Sequence, residues 1–308
     1  MLQIEEIMRL LVIGNGFDLD LGLKTTYHDF FQNTNFGKNG MTIECLETFL
    51  YAQYIENKIK GNWYDLEEAM ASYVKRKSEP LYSAIIEIDK IHLKNLKETF
   101  SDYVDNNWMQ ISGNLWKTPI KNSLAKTLIE KQNKMKIFDK IYSFNCFDYS
   151  LLDFASYLEI DSLHNVTYIH GHSNDFIFGI AEEDCTCNAY SFLIKKNQQG
   201  YPTEDVKTFM SDLKLADEIV VFGHSLNRID MVYFRDMLWN IFLYQNTHKR
   251  ITIITKNTNA AEQIKENISN YALIPYEELS RSCQLKFFYT DNYINSKRIG
   301  SIEDSFNL

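Results

Sequence analysis

Four short blocks of this sequence combine glycine or small polar residues with groups that can bind a ligand or move a proton. They are Ile13-Gly14-Asn15-Gly16-Phe17-Asp18, Ser143-Phe144-Asn145-Cys146-Phe147-Asp148, Tyr168-Ile169-His170-Gly171-His172, and Val221-Phe222-Gly223-His224-Ser225-Leu226-Asn227-Arg228-Ile229-Asp230. Glycine lets the backbone approach a ligand closely, and glycine-rich turns that open a helix can hold phosphate through their amides. A histidine beside a turn is well placed as a general base. Asn145 offers a polar group to a ribose, although Asn145 and Asp148 are also of residue types favoured as helix caps. Taken together, the blocks suit cleavage of a nucleotide at its N-glycosidic bond. That reaction needs a held phosphate end, a polar group on the ribose and a base for water. The Gly14/Gly16 turn, Asn145 and His170 would supply one each. Nucleotide binding without turnover is equally compatible with these residues.

Other chemistries fit less well. The dinucleotide fingerprint would need glycine at position 19, which is Leu19, and no Gly-Lys-Ser/Thr P-loop is present. Gly223-His224-Ser225-Leu226 resembles a nucleophile elbow, but the second glycine is replaced by Asn227. His248 is the only histidine after Ser225, and it precedes a predicted strand, at the wrong end of a sheet for a triad. His170/His172 and Cys185/Cys187 could offer zinc four ligands. However, a single residue between paired ligands is unusual, and residues two apart are poorly suited to share a site here, so no metal is expected.

The elements that must carry these blocks can be read from apolar runs. Strands are predicted at Arg9–Ile13, Lys140–Phe144, Val166–Ile169, Phe176–Phe178, Glu218–Phe222, Arg250–Thr255 and Leu285–Tyr289. Several are apolar throughout rather than in alternation, as in a parallel sheet covered on both faces. Helical spacing over Thr203–Ala216, Ile229–Tyr244 and Ala260–Asn270 alternates with them, which is an α/β pattern. Residues 41–136 carry helical spacing only, over Ile43–Ile59, Trp63–Lys75, Leu81–Trp108 and Ile120–Lys136. The expected fold is an open, mostly parallel Rossmann-like sheet built from residues 1–40 and 137–308. A large helical insertion, 41–136, would separate its first and second strands.

Composition agrees with this reading. Among 308 residues there are 12 glycines and 4 prolines, few enough to favour long helices over a turn-rich β sandwich. Six glycines, at 14, 16, 22, 171, 179 and 223, lie at or near predicted strand ends. There an open parallel sheet binds its ligands. The net charge of −9 argues against global nucleic-acid binding. Five unpatterned cysteines suggest reduced thiols and a cytoplasmic protein. No cleavable leader or spanning segment is expected. The 14% aromatic share hints at a homo-oligomer.

The ordered blocks carry a resemblance. Ile13-Gly14-Asn15-Gly16-Phe17-Asp18-Leu19, followed by Gly22-Leu23 and Thr25-Thr26-Tyr27-His28-Asp29-Phe30, resembles the opening signature of the bacteriophage abortive infection AbiH family. Trp63-Tyr64-Asp65-Leu66-Glu67, Ile169-His170-Gly171, Phe178-Gly179-Ile180 and Gly223-His224-Ser225-Leu226 through Asp230 are similar to its later blocks. The same blocks look like a distant version of the sirtuin-like, NAD-consuming fold. That resemblance implies an antiphage protein that binds and hydrolyses NAD or a related nucleotide, with a phage-derived trigger as a further partner. It places Asn145 and His170 in the catalytic pair. Gly14, Asn15, Gly16, Asp18, Asp148, Gly171, Gly223, His224, Ser225 and Asp230 would contact the ligand. The Asp148 spacing is one residue longer than in the sirtuin-like pattern, and the zinc-ribbon cysteines of deacetylases are absent. Trp63, Asp65 and Glu67 would close the site, although Asp65 and Glu67 also read as ordinary acidic residues at a helix start. A non-catalytic nucleotide sensor is the alternative.

Overall fold

The computed structural model describes residues 7–38, 44–56, 63–77, 83–115, 123–149 and 166–291. The predicted apolar runs form six strands among them: β1 (Arg9–Ile13), β2 (Lys140–Ser143), β3 (Val166–Tyr168), β4 (Glu218–Phe222), β5 (Arg250–Thr255) and β6 (Gln284–Tyr289). All neighbours pair in parallel. Their order is β3-β2-β1-β4-β5-β6, so the direction in which the chain adds strands reverses between β1 and β4. β1, β4 and β5 are almost wholly buried, while the edge strands β3 and β6 are half-covered. Central position is why β1 and β4 read as unbroken apolar runs.

Between β1 and β2 lie α1 (Asn15–Asp20), α2 (Tyr27–Asn33), α3 (Leu46–Ile55), α4 (Trp63–Lys75), α5 (Ser83–Leu115) and α6 (Leu124–Met135). After β3 come α7 (Thr203–Leu215), α8 (Met231–Tyr244), α9 (Thr258–Asn267) and α10 (Tyr276–Ser282). Strand side chains alternate between faces, and the two sets of helices divide accordingly. Leu11, Ile13, Val220 and Phe222 pack with Leu46, Leu66, Leu96 and Leu128 from α3 to α6. Leu10, Val12, Ile219 and Val221 pack with Phe209, Phe234, Ile264 and Leu279 from α7 to α10. The helices preceding β2 thus share one continuous apolar cluster with the sheet face that they cover.

Local chemistry sets the helix ends. Thr26, Ser123 and Asn257 accept the amides of Asp29, Lys126 and Ala260 at the starts of α2, α6 and α9. At the far end of α7, Lys249 Nζ donates to the carbonyls of Lys214 and Ala216. The carbonyls there would otherwise lack partners.

One predicted strand is absent. Phe176–Phe178 does not pair into the sheet. A 3-10 turn at Ser173–Asp175 folds the chain back, so the Ile177 amide bonds to the His170 carbonyl at 2.7 Å. The three residues are buried because Phe176 and Phe178 pack against Phe100 and each other. Burial in an aromatic cluster and burial in a strand leave the same apolar signature. Residues 150–165, which follow the Asn145/Asp148 turn, lie outside the described residues.

Candidate functional site

The carboxyl ends of β1 and β4 meet through backbone contact. Gly223 has φ +67°, a left-handed conformation that costs glycine little. A Cβ on Gly223 would stand 2.4 Å from Gly16 Cα, and one on Gly16 would stand 2.6 Å from Gly223 Cα. The Gly16 amide donates to the Gly223 carbonyl at 2.9 Å, and the Gly14 amide to the Phe222 carbonyl at 2.8 Å. Glycine is therefore required here for one turn to lie on the other. Asn15 and Gly16 stay half-exposed and Ser225 exposed, which leaves a rim above the junction.

A first polar cluster gathers around Asp18, close to Asn15 and Gly16 in the chain. Asp18 is wholly buried, and its Oδ1 accepts the Tyr149 hydroxyl. Tyr149 in turn accepts Asn145 Nδ2 at 2.8 Å. Among the described residues, Asp18 Oδ2 has no hydrogen-bond partner. Burial pushes the Asp18 carboxyl up to about 7, against the pull of Tyr149, Asn145 and Thr25. Thr25 Oγ1 also donates to Asn15 Oδ1 at 2.5 Å. The end of β1 and the turn after β2 are thereby joined through Asp18, Tyr149 and Asn145.

A second cluster surrounds Lys195, in a short 3-10 turn at Lys195–Asn197. Its Nζ lies 2.8 Å from Glu67 Oε1 of α4, 3.3 Å from Asp230 Oδ1 and 3.3 Å from His170 Nε2. All four side chains are at most 10% exposed. Burial raises the Asp230 carboxyl, but Lys195 foremost, with His224 and His170, outweighs it and holds Asp230 well below the usual range. Burial pushes Glu67 up to about 7 despite Lys195. The His170 imidazole is pushed down to about 3, chiefly by burial and then by the Lys195 charge. The Tyr233 hydroxyl stands 3.3 Å from His170 Nε2. His224 Nδ1 accepts the Leu226 amide at 3.0 Å, leaving its Nε2 3.5 Å from Asp230 Oδ2. Asn227 ties the turn together, donating to Ser225 Oγ and Asp230 Oδ2 while accepting the Asp230 amide.

The structure thus brings Asp18 and Asn145 into one cluster, and His170, His224 and Asp230 into the other. His170 itself lies two residues beyond β3 rather than within it, and Gly171 follows with φ +70°. Asp148 stands apart from Asn145. It faces the β3 side, 3.5 Å from the Tyr168 hydroxyl and 3.7 Å from His172 Nδ1. Glu67 belongs to the Lys195 cluster as well as to the start of α4. The side chains of Trp63 and Asp65 lie outside the described residues. His248, in the turn before β5, is at the opposite end of the sheet from Ser225.

Sequence reasoning missed Lys195, Tyr149, Tyr233 and Asn227 as members of the site. Lys195 is followed by Lys196, which reads as a solvated pair, yet only Lys196 is exposed. Tyr149 directly follows the Ser143–Asp148 block, four residues after Asn145. Its spacing was the one available signal.

A family model described as bacteriophage abortive infection AbiH matches residues 10–255. The chain belongs to the AbiH family. The AbiH match runs from β1 to the end of β5 and includes every site residue named above, from Gly14 to Asp230. No curated protein matches the chain. Membership places this chain among the abortive-infection proteins that act against bacteriophage. Among the described residues, no helix is long and apolar enough to cross a membrane.

Proposed function

We propose that this AbiH-family chain binds a nicotinamide-type dinucleotide, NAD or a close relative, and hydrolyses its N-glycosidic bond as its part in abortive infection. The observation that carries this reading is the placement of the polar groups. The sheet order β3-β2-β1-β4-β5-β6 is compatible with a Rossmann-like sheet, and open parallel sheets take ligands where the order reverses. Asp18, Asn145, His170 and Asp230 follow the carboxyl ends of β1, β2, β3 and β4, the four strands around that reversal. The sirtuin-like resemblance of these blocks supports the same ligand class.

In this reading the half-exposed rim of Asn15, Gly16, Gly223 and Ser225 receives the ligand. Asn145 and His170 hold the ribose hydroxyls and the attacking water. Water oxygen bonds to the ribose anomeric carbon while the bond to nicotinamide breaks. Its electron pair leaves with nicotinamide, which departs neutral, and the water proton passes to a carboxyl. Asp18 suits that task, with a spare oxygen and a pKa near the working pH.

A nucleotide sensor without turnover is the second reading, favoured by the closure of the site: Asp18, Asn145 and His170 are at most 4% exposed. One assay separates the two. Purified protein is incubated with NAD, alone and with extract from infected cells, and free nicotinamide is measured. Release that is lost in Asn145→Ala and His170→Ala supports hydrolysis. NAD binding with no nicotinamide under either condition supports the sensor. Unchanged release in both variants refutes the catalytic assignment.

A further inference from the structure

The Lys195 ammonium has three N–H donors, and three acceptors surround it: Glu67 Oε1, Asp230 Oδ1 and His170 Nε2. They come from α4, the turn between β4 and α8, and the turn after β3. Burial would lower the Lys195 pKa, but Asp230 and Glu67 outweigh it and raise the group above its ordinary value, so it stays charged. His170 beside it is neutral. A neutral imidazole has one N–H and one lone pair. Asp230 Oδ1 also lies 3.5 Å from Nε2, but that oxygen is taken by the ammonium at 3.3 Å. An N–H on Nε2 would oppose the ammonium, itself 3.3 Å away, whereas a lone pair there accepts one of its protons. We propose that Lys195 is a positioning residue that locks His170 in the Nδ1–H tautomer, so that His170 meets a ligand as a hydrogen-bond donor and not as a proton acceptor.

His224 supplies the contrast. Its Nδ1 accepts the Leu226 amide, so its proton sits on Nε2, facing Asp230. Two buried histidines around one carboxylate therefore carry opposite tautomers. The Tyr233 hydroxyl, also 3.3 Å from His170 Nε2, can either donate or accept there and so is compatible with both tautomers, which leaves the choice to Lys195. Among the described residues, no protein group is bonded to His170 Nδ1, so that N–H is the one left for a ligand. Only the role toward the ligand rests on the proposed function; the tautomer does not.

The test is nitrogen NMR of the full chain carrying ring-labelled histidine, with His170 assigned from the signals lost in His170→Gln. Across about pH 5 to 8, His170 is expected to show a protonated Nδ1 and a bare Nε2, with His224 reversed. In Lys195→Met the His170 signals are expected to shift toward mixed tautomers or to titrate within that window, and Lys195→Arg is expected to restore the single form. If Lys195→Met does not fold, Lys195→Met/Glu67→Gln, which removes one stranded charge, is measured in its place. An Nε2–H form of His170 in the native chain overturns the proposal. So does an unchanged His170 tautomer in a folded Lys195 variant. Failure to release nicotinamide, with the Nδ1–H form present, counts against the hydrolase reading alone.

Discussion

The Asp18 carboxyl makes the most discriminating prediction, because its neutral form is the one that the fold accommodates. Its folded pKa, about 7, lies above the ordinary 3.8, with burial as the main cause. A carboxyl raised in this way contributes stability that is fully present below about 3.8 and is lost as pH rises through about 7. The linkage relation gives roughly 2.5 kcal/mol lost between pH 5 and pH 8 from this group. Asp18→Asn keeps the shape and an oxygen for the Tyr149 hydroxyl, but cannot ionise. Urea unfolding of both proteins at the two pH values is the assay. The variant should gain on the native chain by roughly 2.5 kcal/mol on going from pH 5 to pH 8. Glu67 titrates in both proteins, so its contribution cancels in the difference. A constant difference across the two pH values, or a variant that loses ground at pH 8, would refute the account of Asp18 as a buried carboxyl without a cation.

The remaining predictions concern the same edge of the sheet. Gly16→Ala should destabilise by about 1–3 kcal/mol in urea unfolding, because its Cβ meets backbone rather than a side chain that can turn away. Gly223→Ala should cost more, since its positive φ adds strain of about 1–2 kcal/mol. Lys195→Ala should lower stability near neutral pH by about 3–5 kcal/mol, as it strands Glu67 and Asp230. His170 is held below its ordinary 6.5, at about 3, so its contribution is present above about 6.5 and is lost as pH falls through about 3. The slope of stability against pH in that window should be shallower in His170→Gln, by at most about 1.4 kcal/mol per pH unit. Of the five thiols, Cys185 is the one not fully buried, so it should react first with a thiol reagent in the folded protein, and the other four only on unfolding.

Much of the layer plan was legible because each element is local. β1 and β4 are short apolar runs bounded by glycine, and α7 and α8 show helical spacing. Each can be recognised within a dozen residues. Phe176–Phe178 shows the limit of that reading. Its apolar run satisfies an aromatic cluster with Phe100, and nothing in three residues distinguishes that from a strand. Gly14, Gly16 and Gly223 do lie beyond the carboxyl ends of β1 and β4, but the physical reason for two of them differs from the expected one. Gly16 and Gly223 have no Cβ because each occupies the other's space. Only the pairing of β1 with β4, more than 200 residues apart in the chain, creates that demand.

The charged cluster was illegible for a related reason. Glu67, His170, Lys195 and Asp230 are spread over more than 160 positions, and each alone has an ordinary solvated or capping interpretation. Periodicity and turn chemistry within short windows marked most strands and helices, Phe176–Phe178 excepted, and the blocks that stand at the strand ends. Which of the polar groups are charged, and which way their hydrogen bonds run, depends on the assembled fold. Burial sets the energetic cost of a charge, and the neighbours that offset it arrive from distant strands. Asp18 and Asp230 are the same residue type at the same edge of one sheet. One is pushed toward neutrality and the other is held ionised because Lys195 reaches only the second.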